Sequence, residues 1–173
     1  MNSSPSWQMT WIVSQQAFLK ETLTDIQMPT VYLAGNSSML KTAGNAMYQA
    51  NMIHLAGGVN VANEIGDTYW AEIDYEQLLT WNPDYIILAA EATYTVEDVL
   101  ADPNLADCAA VKNGNVYRLP NNAEAWDSPV PGSILGALWL ANILHKDKVS
   151  DAECAARTDA YYEMFYSFTY SKN

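Results

Sequence analysis

Apolar positions in this chain follow two rhythms that alternate along its length. Trp11, Ile12, Ala17, Phe18, Leu19, Leu23 and Ile26 recur at roughly helical spacing, and Pro29 closes that stretch, so a helix is expected over 11–26. Residues 30–34 form a short apolar run that ends in Gly35-Asn36-Ser37-Ser38, the pattern of a buried strand entering a loop. Ala46, Met47, Ala50 and Ile53 then give a helical face closed by Gly57-Gly58, and 59–62 reads as a brief second strand.

The most fully specified unit starts at Ile73. Asp74 reads as an N-cap with Gln77 at the third helical position, a capping box, while Ile73 and Leu78 stand where a hydrophobic staple forms. Leu78, Leu79 and Trp81 point inward, and Asn82-Pro83 ends the helix. Residues 85–90 are uniformly apolar, as in a central strand of a parallel sheet.

Beyond that strand, 96–100 starts another helix, Asp102-Pro103 breaks it, and 105–111 makes a further short turn. Residues 112–115 form a turn before a strand at 116–119. Asp127 or Ser128 is expected to cap a helix carrying Pro129 and Pro131 in its first turn. That helix runs to about His145 and is apolar nearly all round, hence deeply buried. A last amphipathic helix spans about 151–168.

Strands alternating with helices predict one α/β domain, a three-layer α/β/α lobe around a mainly parallel sheet. It occupies residues 30–173, after a segment 1–29 made of a polar, Ser-rich lead and the helix of 11–26. Neither an internal repeat nor a low-complexity segment is present.

Composition narrows the function classes. The 173 residues carry a formal net charge of −12, and no cluster of Lys or Arg offsets it locally, which argues against nucleic acid as a partner. Six Trp and eleven Tyr are a heavy aromatic load; most rings belong in a core, and the excess suits a surface that grips a ligand or partner. Cys108 and Cys154 are far apart and lack metal-ligand spacing, so both are expected to be buried structural residues with no metal between them.

There is no P-loop, GxGxxG or GxSxG motif, and the residues call for no cofactor. His54 falls on a helix rim and His145 at a helix end, neither in a catalytic constellation, so the expectation is a protein that is not an enzyme. Glu91 directly follows the strand at 85–90, at the carboxyl edge where α/β sheets place ligands. A solvated loop residue is the plainer reading of it.

Several segments together resemble the C-terminal lobe of the siderophore, haem and cobalamin class of periplasmic binding proteins: 56–62 (AGGVNVA), 75–87 (YEQLLTWNPDYII), 110–117 (AVKNGNVY) and 126–129 (WDSP). The apolar helix at 134–145 and the closing 161–166 (YYEMFY) add to the likeness, which covers about 30–170. The resemblance implies two α/β lobes joined by a rigid helix, with a metal-chelate ligand such as an iron-siderophore, haem or cobalamin held between them. The present chain is similar to the second lobe, preceded by the end of the connecting helix, so an N-terminal lobe is expected to complete the cleft.

By the same resemblance, the lobe docks on the transmembrane subunits of an ABC permease through a glutamate near the start of a short helix. The matching residue is Glu76, whose plainer reading is a helix-dipole carboxylate. Cleft-facing loops would supply Asn36, Ser37 and Ser38 after the first strand, Trp70 before the capped helix, Glu91, and Asn122 with Trp126 after the last strand. Trp126 could stack on a chelate or pin the following helix.

The implied location is extracytoplasmic, as a periplasmic or surface lipoprotein. Because residues 1–10 lack a basic stretch leading into an apolar one, the export signal is expected outside this chain. Two other readings remain open: a nitrogenase-like lobe holding a metallocluster or tetrapyrrole, which wants cysteines in loops, and a stand-alone docking remnant.

Overall fold

A computed structural model describes residues 6–172, and its sheet is built around one strand. In β1 (Thr30–Ala34), Val31 and Leu33 face one side and Tyr32 and Ala34 the other, and all four are fully buried. A strand buried on both faces needs partners on both edges, and β1 has them. β5 (Tyr85–Leu88) lies parallel on one edge, with Val31 opposite Tyr85 and Ala34 opposite Leu88. β6 (Val116–Arg118) continues the parallel pairing beyond β5.

The other edge of β1 is divided. β3 (Val59–Asn60) pairs parallel with its first half, while β2 (Lys41–Ala43) pairs antiparallel at Ala34. β4 (Trp70–Glu72) then joins β2, giving the order β4-β2-β1-β5-β6 with β3 off the path. The parallel core was legible in the apolar runs. The β2–β4 ribbon was not, since three residues each of mixed character carry no alternation to read.

Two cores flank the sheet. Leu33, Ile87 and Val31 pack against α1 (Trp7–Thr22), α2 (Tyr48–Leu55), α6 (Ser133–Leu144) and α7 (Asp151–Tyr166). Tyr32, Ile86 and Leu88 pack against α3 (Tyr75–Trp81), α4 (Val96–Leu100) and α5 (Ala109–Lys112). This is the three-layer α/β/α architecture that the alternation of elements predicts.

Several boundaries shift, each for a physical reason. The first helix begins at Trp7, where the Ser6 hydroxyl accepts the Met9 N–H at 3.3 Å, so 7–10 are helical rather than a polar lead; residues 1–5 lie outside those described. It ends at Thr22, before Ile26, and Asp25 takes a left-handed conformation at φ 53°. The second helix starts at Tyr48, and its chain leaves through Gly57 at φ 76°, where a Cβ would also meet Ile26 and His145. After Asn60 the chain turns into a 3₁₀ segment, Val61–Ile65.

Asp74 caps α3 as expected, accepting the Gln77 N–H at 2.8 Å, but the box is half made, because the Gln77 amide reaches out to Glu64 at 3.5 Å instead. A reciprocal capping box stands at α4, between Thr95 and Asp98. The buried helix starts later than its prolines imply. Pro129 and Pro131 sit in turns, and α6 begins at Ser133 without a side-chain cap. Gly136 lets the Trp126 carbonyl lie against that helix, since a Cβ there would come within 2.5 Å of it.

The starts of the two central strands are locked by one side chain. Asp84 Oδ2 accepts both the Thr30 N–H and the Thr30 hydroxyl at 2.8 Å, and the Asp84 N–H donates back to that hydroxyl oxygen at 3.0 Å. Asp84→Ala removes all but the last bond and is expected to cost about 1–2 kcal/mol in chemical denaturation, with Asp84→Asn recovering part of it. Leu138→Ala, in the fully buried middle of α6, should cost about 2–5 kcal/mol by the same measurement.

Candidate functional site

Because β1, β5 and β6 run parallel, the loops leaving their carboxyl ends emerge side by side, and each is tied to the next. The Thr93 N–H and hydroxyl both donate to the Asn36 carbonyl, at 2.9 and 3.2 Å. The Tyr94 hydroxyl donates to the Gly35 carbonyl at 2.6 Å, and the Tyr32 hydroxyl reaches the Met39 carbonyl at 2.6 Å. Arg118, at the end of β6, donates from its guanidinium to the Tyr94 carbonyl. Burial pushes the Tyr94 hydroxyl well above its usual range, with Arg118 opposing, so it stays a neutral donor.

The firmest tie is at Ala90. Its buried N–H donates to Asp127 Oδ2 at 3.1 Å, and its carbonyl accepts from the Asn121 amide at 3.0 Å. Both backbone polar atoms of one residue are therefore held by the loop after β6. Gln49 of α2 donates to the Asp127 carbonyl at 3.2 Å and fixes that loop from below. Asp127 is thus spent on the strand end rather than on capping α6. Burial raises its pKa, the Ala90 N–H opposes the rise, and the charge of Glu91 adds to it.

The nominated residues line this edge in strand order. Trp70 lies over Gly35, with its Cζ3 3.3 Å from where a Cβ would stand there, beside the exposed Asn36, Ser37 and Ser38. Glu91 is exposed on the loop that Asp127 and Asn121 hold, and Asn122 is exposed on the next loop. Trp126 is different: its ring is only 3% exposed, and its indole N–H donates to the Tyr162 hydroxyl at 3.0 Å. It pins the loop to the core, and in this lobe it offers no face for stacking.

Glu76 is exposed in the first turn of α3. That turn is anchored by the Ile73 N–H to the Leu40 carbonyl at 2.9 Å and by the Tyr75 hydroxyl to Asp102 at 2.7 Å. Glu76 shares a depression of about 730 Å³ with Glu64, Glu72 and Asp74. The bridging roles of Asp127, Asn121 and Tyr94 escaped the sequence, where Asp127 reads as a helix cap, because a residue that bridges two loops far apart in the chain leaves no local pattern.

The histidines lie away from this edge. His54 is exposed in α2, and buried His145 is bonded through Nε2 to the Gly57 carbonyl at 3.0 Å, next to where β3 begins. Cys108 and Cys154 are buried free thiols on opposite sides of the sheet, which excludes a disulfide or a shared metal between them. Among the described residues, no group of three or more His, Cys, Asp and Glu could hold a metal ion.

Asp127 has a measurable signature. Its folded pKa is raised above the unfolded value near 3.8, so the folded state binds the proton more tightly. Stability should therefore rise as pH falls through the interval between the raised value and 3.8, relative to Asp127→Asn, which has no proton to bind. Asp127→Ala leaves the buried Ala90 N–H without an acceptor and should cost about 1–3 kcal/mol at neutral pH. Urea titrations of the three proteins from pH 7 to pH 4 check both expectations.

The profile of the periplasmic binding protein family matches residues 19–123. The molybdate-binding protein MolA of Haemophilus influenzae is 31% identical over 132 residues, covering 76% of this chain and 37% of that protein. Its molybdate-bound structure aligns with a TM-score of 0.81 at 27% identity, over 94% of this chain and 50% of the other. A periplasmic solute binding protein from Veillonella parvula gives 0.82 at 24% identity, over 94% and 50%. Helicobacter pylori CeuE gives 0.85 at 21%, over 95% and 53%, a likeness of fold. The chain spans about half the length of these solved structures. With its three-layer lobe and the family profile across most of its length, the chain belongs to the periplasmic binding protein family.

Proposed function

We propose that this chain is one lobe of the solute-binding component of an ABC importer, acting outside the cytoplasm and not as an enzyme. The observation that carries the reading is the cross-tied carboxyl edge. Its loops are held rigid by the Ala90 and Asn36 hydrogen bonds, while Asn36, Ser37, Ser38, Trp70, Glu91 and Asn122 remain exposed along it. Such an edge makes one wall of a ligand cleft at little ordering cost on binding. An N-terminal lobe supplies the opposite wall, with α1 as the end of the connecting helix.

The solute is a metal chelate of the iron-siderophore, haem or cobalamin kind. A second reading, a metal oxyanion, is favoured by the 31% identity to a protein named for molybdate. Tryptophan fluorescence of the two-lobed protein, titrated with ferric siderophores, haem, cobalamin and molybdate, separates them. Saturation by molybdate alone replaces the chelate, and saturation by none of the four overturns the reading.

Glu76 is the docking residue for arginines of the permease. It is an outward carboxylate on an anchored helical turn, with Glu64, Glu72 and Asp74 adding negative charge around it. With no side-chain partner to lose among the described residues, Glu76→Ala should cost under about 1 kcal/mol of stability. In the two-lobed protein it should reduce uptake while leaving ligand affinity unchanged, because a rim charge sets register and association rate. Undiminished uptake, or parallel losses of uptake and affinity, would remove Glu76 from this role.

A further inference from the structure

Nine aromatic side chains run in contact along the α1–α7 side of the carboxyl edge. Trp7 meets Phe165 at 5.7 Å, Phe165 stacks on Tyr161 at 4.4 Å, and Tyr161 meets Tyr162 edge-on at 5.1 Å. Tyr162 then stacks on Tyr170 at 4.8 Å and 15°, and Trp126 closes on Tyr170 at 5.6 Å. The far end of this series is open. Phe168 and Tyr170, both half-buried, line a depression of about 320 Å³ with Asn122 and Ala123 of the loop after β6. A rigid stacked pair presenting a further ring at a concave surface, with one exposed amide beside it, has the makings of a small-molecule subsite.

The charges nearby restrict what fits. Glu124 follows Ala123 in the chain, and its Oε1 is buried without a hydrogen-bond partner among the described residues. Burial, with a smaller contribution from Glu124, pushes the Tyr162 hydroxyl up to about 12. Glu163 accepts from the Thr169 hydroxyl at 2.7 Å, and Asp159 accepts from the Ser171 N–H and hydroxyl at 2.8 and 2.7 Å. None of these three carboxylates has an ion-pair partner among the described residues, although Lys172 is exposed in the same terminal turn. A negative field over open ring faces favours cations and uncharged rings and repels anions.

We propose that the depression formed by Asn122, Ala123, Phe168 and Tyr170 is a subsite for a planar aromatic group, neutral or cationic, of the carried solute. The group stacks on Tyr170 and Phe168, and the Asn122 amide meets its polar edge. The subsite rests on the carrier reading only in taking the carboxyl edge as the ligand face. Ring binding itself is a property of this chain.

The test is nuclear magnetic resonance titration of the 173-residue chain with 1-methylpyridinium, benzyl alcohol, benzoate and molybdate. Pyridinium and benzyl alcohol should shift the Tyr170 ring and Asn122 amide signals saturably, and benzoate should bind about tenfold more weakly or not at all. Tyr170→Ala should weaken the two rings about three- to tenfold. Ala123→Leu, at an exposed position outside the ring stack, fills the depression and should weaken them as much, with near-ultraviolet circular dichroism unchanged. Equal binding in Ala123→Leu, benzoate matching pyridinium, or no saturable shift with either ring overturns the subsite. If molybdate alone shifts signals, at Asn36–Ser38 and Glu91, the carrier reading stands and the subsite falls. Ring binding alongside undiminished uptake in Glu76→Ala keeps the subsite and removes only the docking role.

Discussion

The lobe depends on the parallel pairing of β1 with β5, two short strands buried on both faces. Val31, Leu33 and Ile87 fill one core and Tyr32, Ile86 and Leu88 the other, so each strand needs a helical layer on either side. With backbone groups buried there, every N–H and C=O must be paired across the sheet. Asp84 and Thr30 tie the two strands together where they start, and a one-residue slip would exchange the residues meant for the two cores. Helix positions, loop directions and the location of a carboxyl edge all follow from that pairing.

At this edge, rigidity comes from side chains that bridge loops rather than from loop length or composition. Ala90 is held through both of its peptide atoms, and Asn36 receives two bonds from Thr93. The Ala90 N–H bond to Asp127 is buried, and a buried, satisfied polar contact costs little once formed and is expensive to break. The same logic explains Trp126. A buried indole whose N–H is already bonded to Tyr162 stabilises the loop that carries Asn121 and Asp127, and it gives up any role at the surface.

The aromatic excess divides along the same lines. Tyr161 and Tyr162 are enclosed by neighbouring rings, whereas Phe168 and Tyr170 end the series half-exposed beside a concave surface. A stacked array loses little freedom when one more ring joins it, which is how a core can extend into a binding surface. The acidic field of the chain, at −12 overall, acts on both proposed contacts: it favours a basic docking partner at Glu76 and a ring without negative charge at Tyr170.

Local patterns were enough to locate β1, β5, β6, the short α3 with its Asp74 cap, and the final helix, because each is announced by apolar period, cap residue or breaker within a few positions. They also placed Asn36, Ser37, Ser38, Glu91 and Asn122 in loops after strands. Only the folded chain decided that β2 and β4 add an antiparallel ribbon, that Trp70 covers Gly35, and that Asp127 serves Ala90 instead of α6. It alone could bring the terminal Tyr170 under Asn122's loop. The reason is sequence distance: an N-cap meets its partner three residues away and leaves a motif. A carboxylate that meets a peptide 37 residues away leaves none.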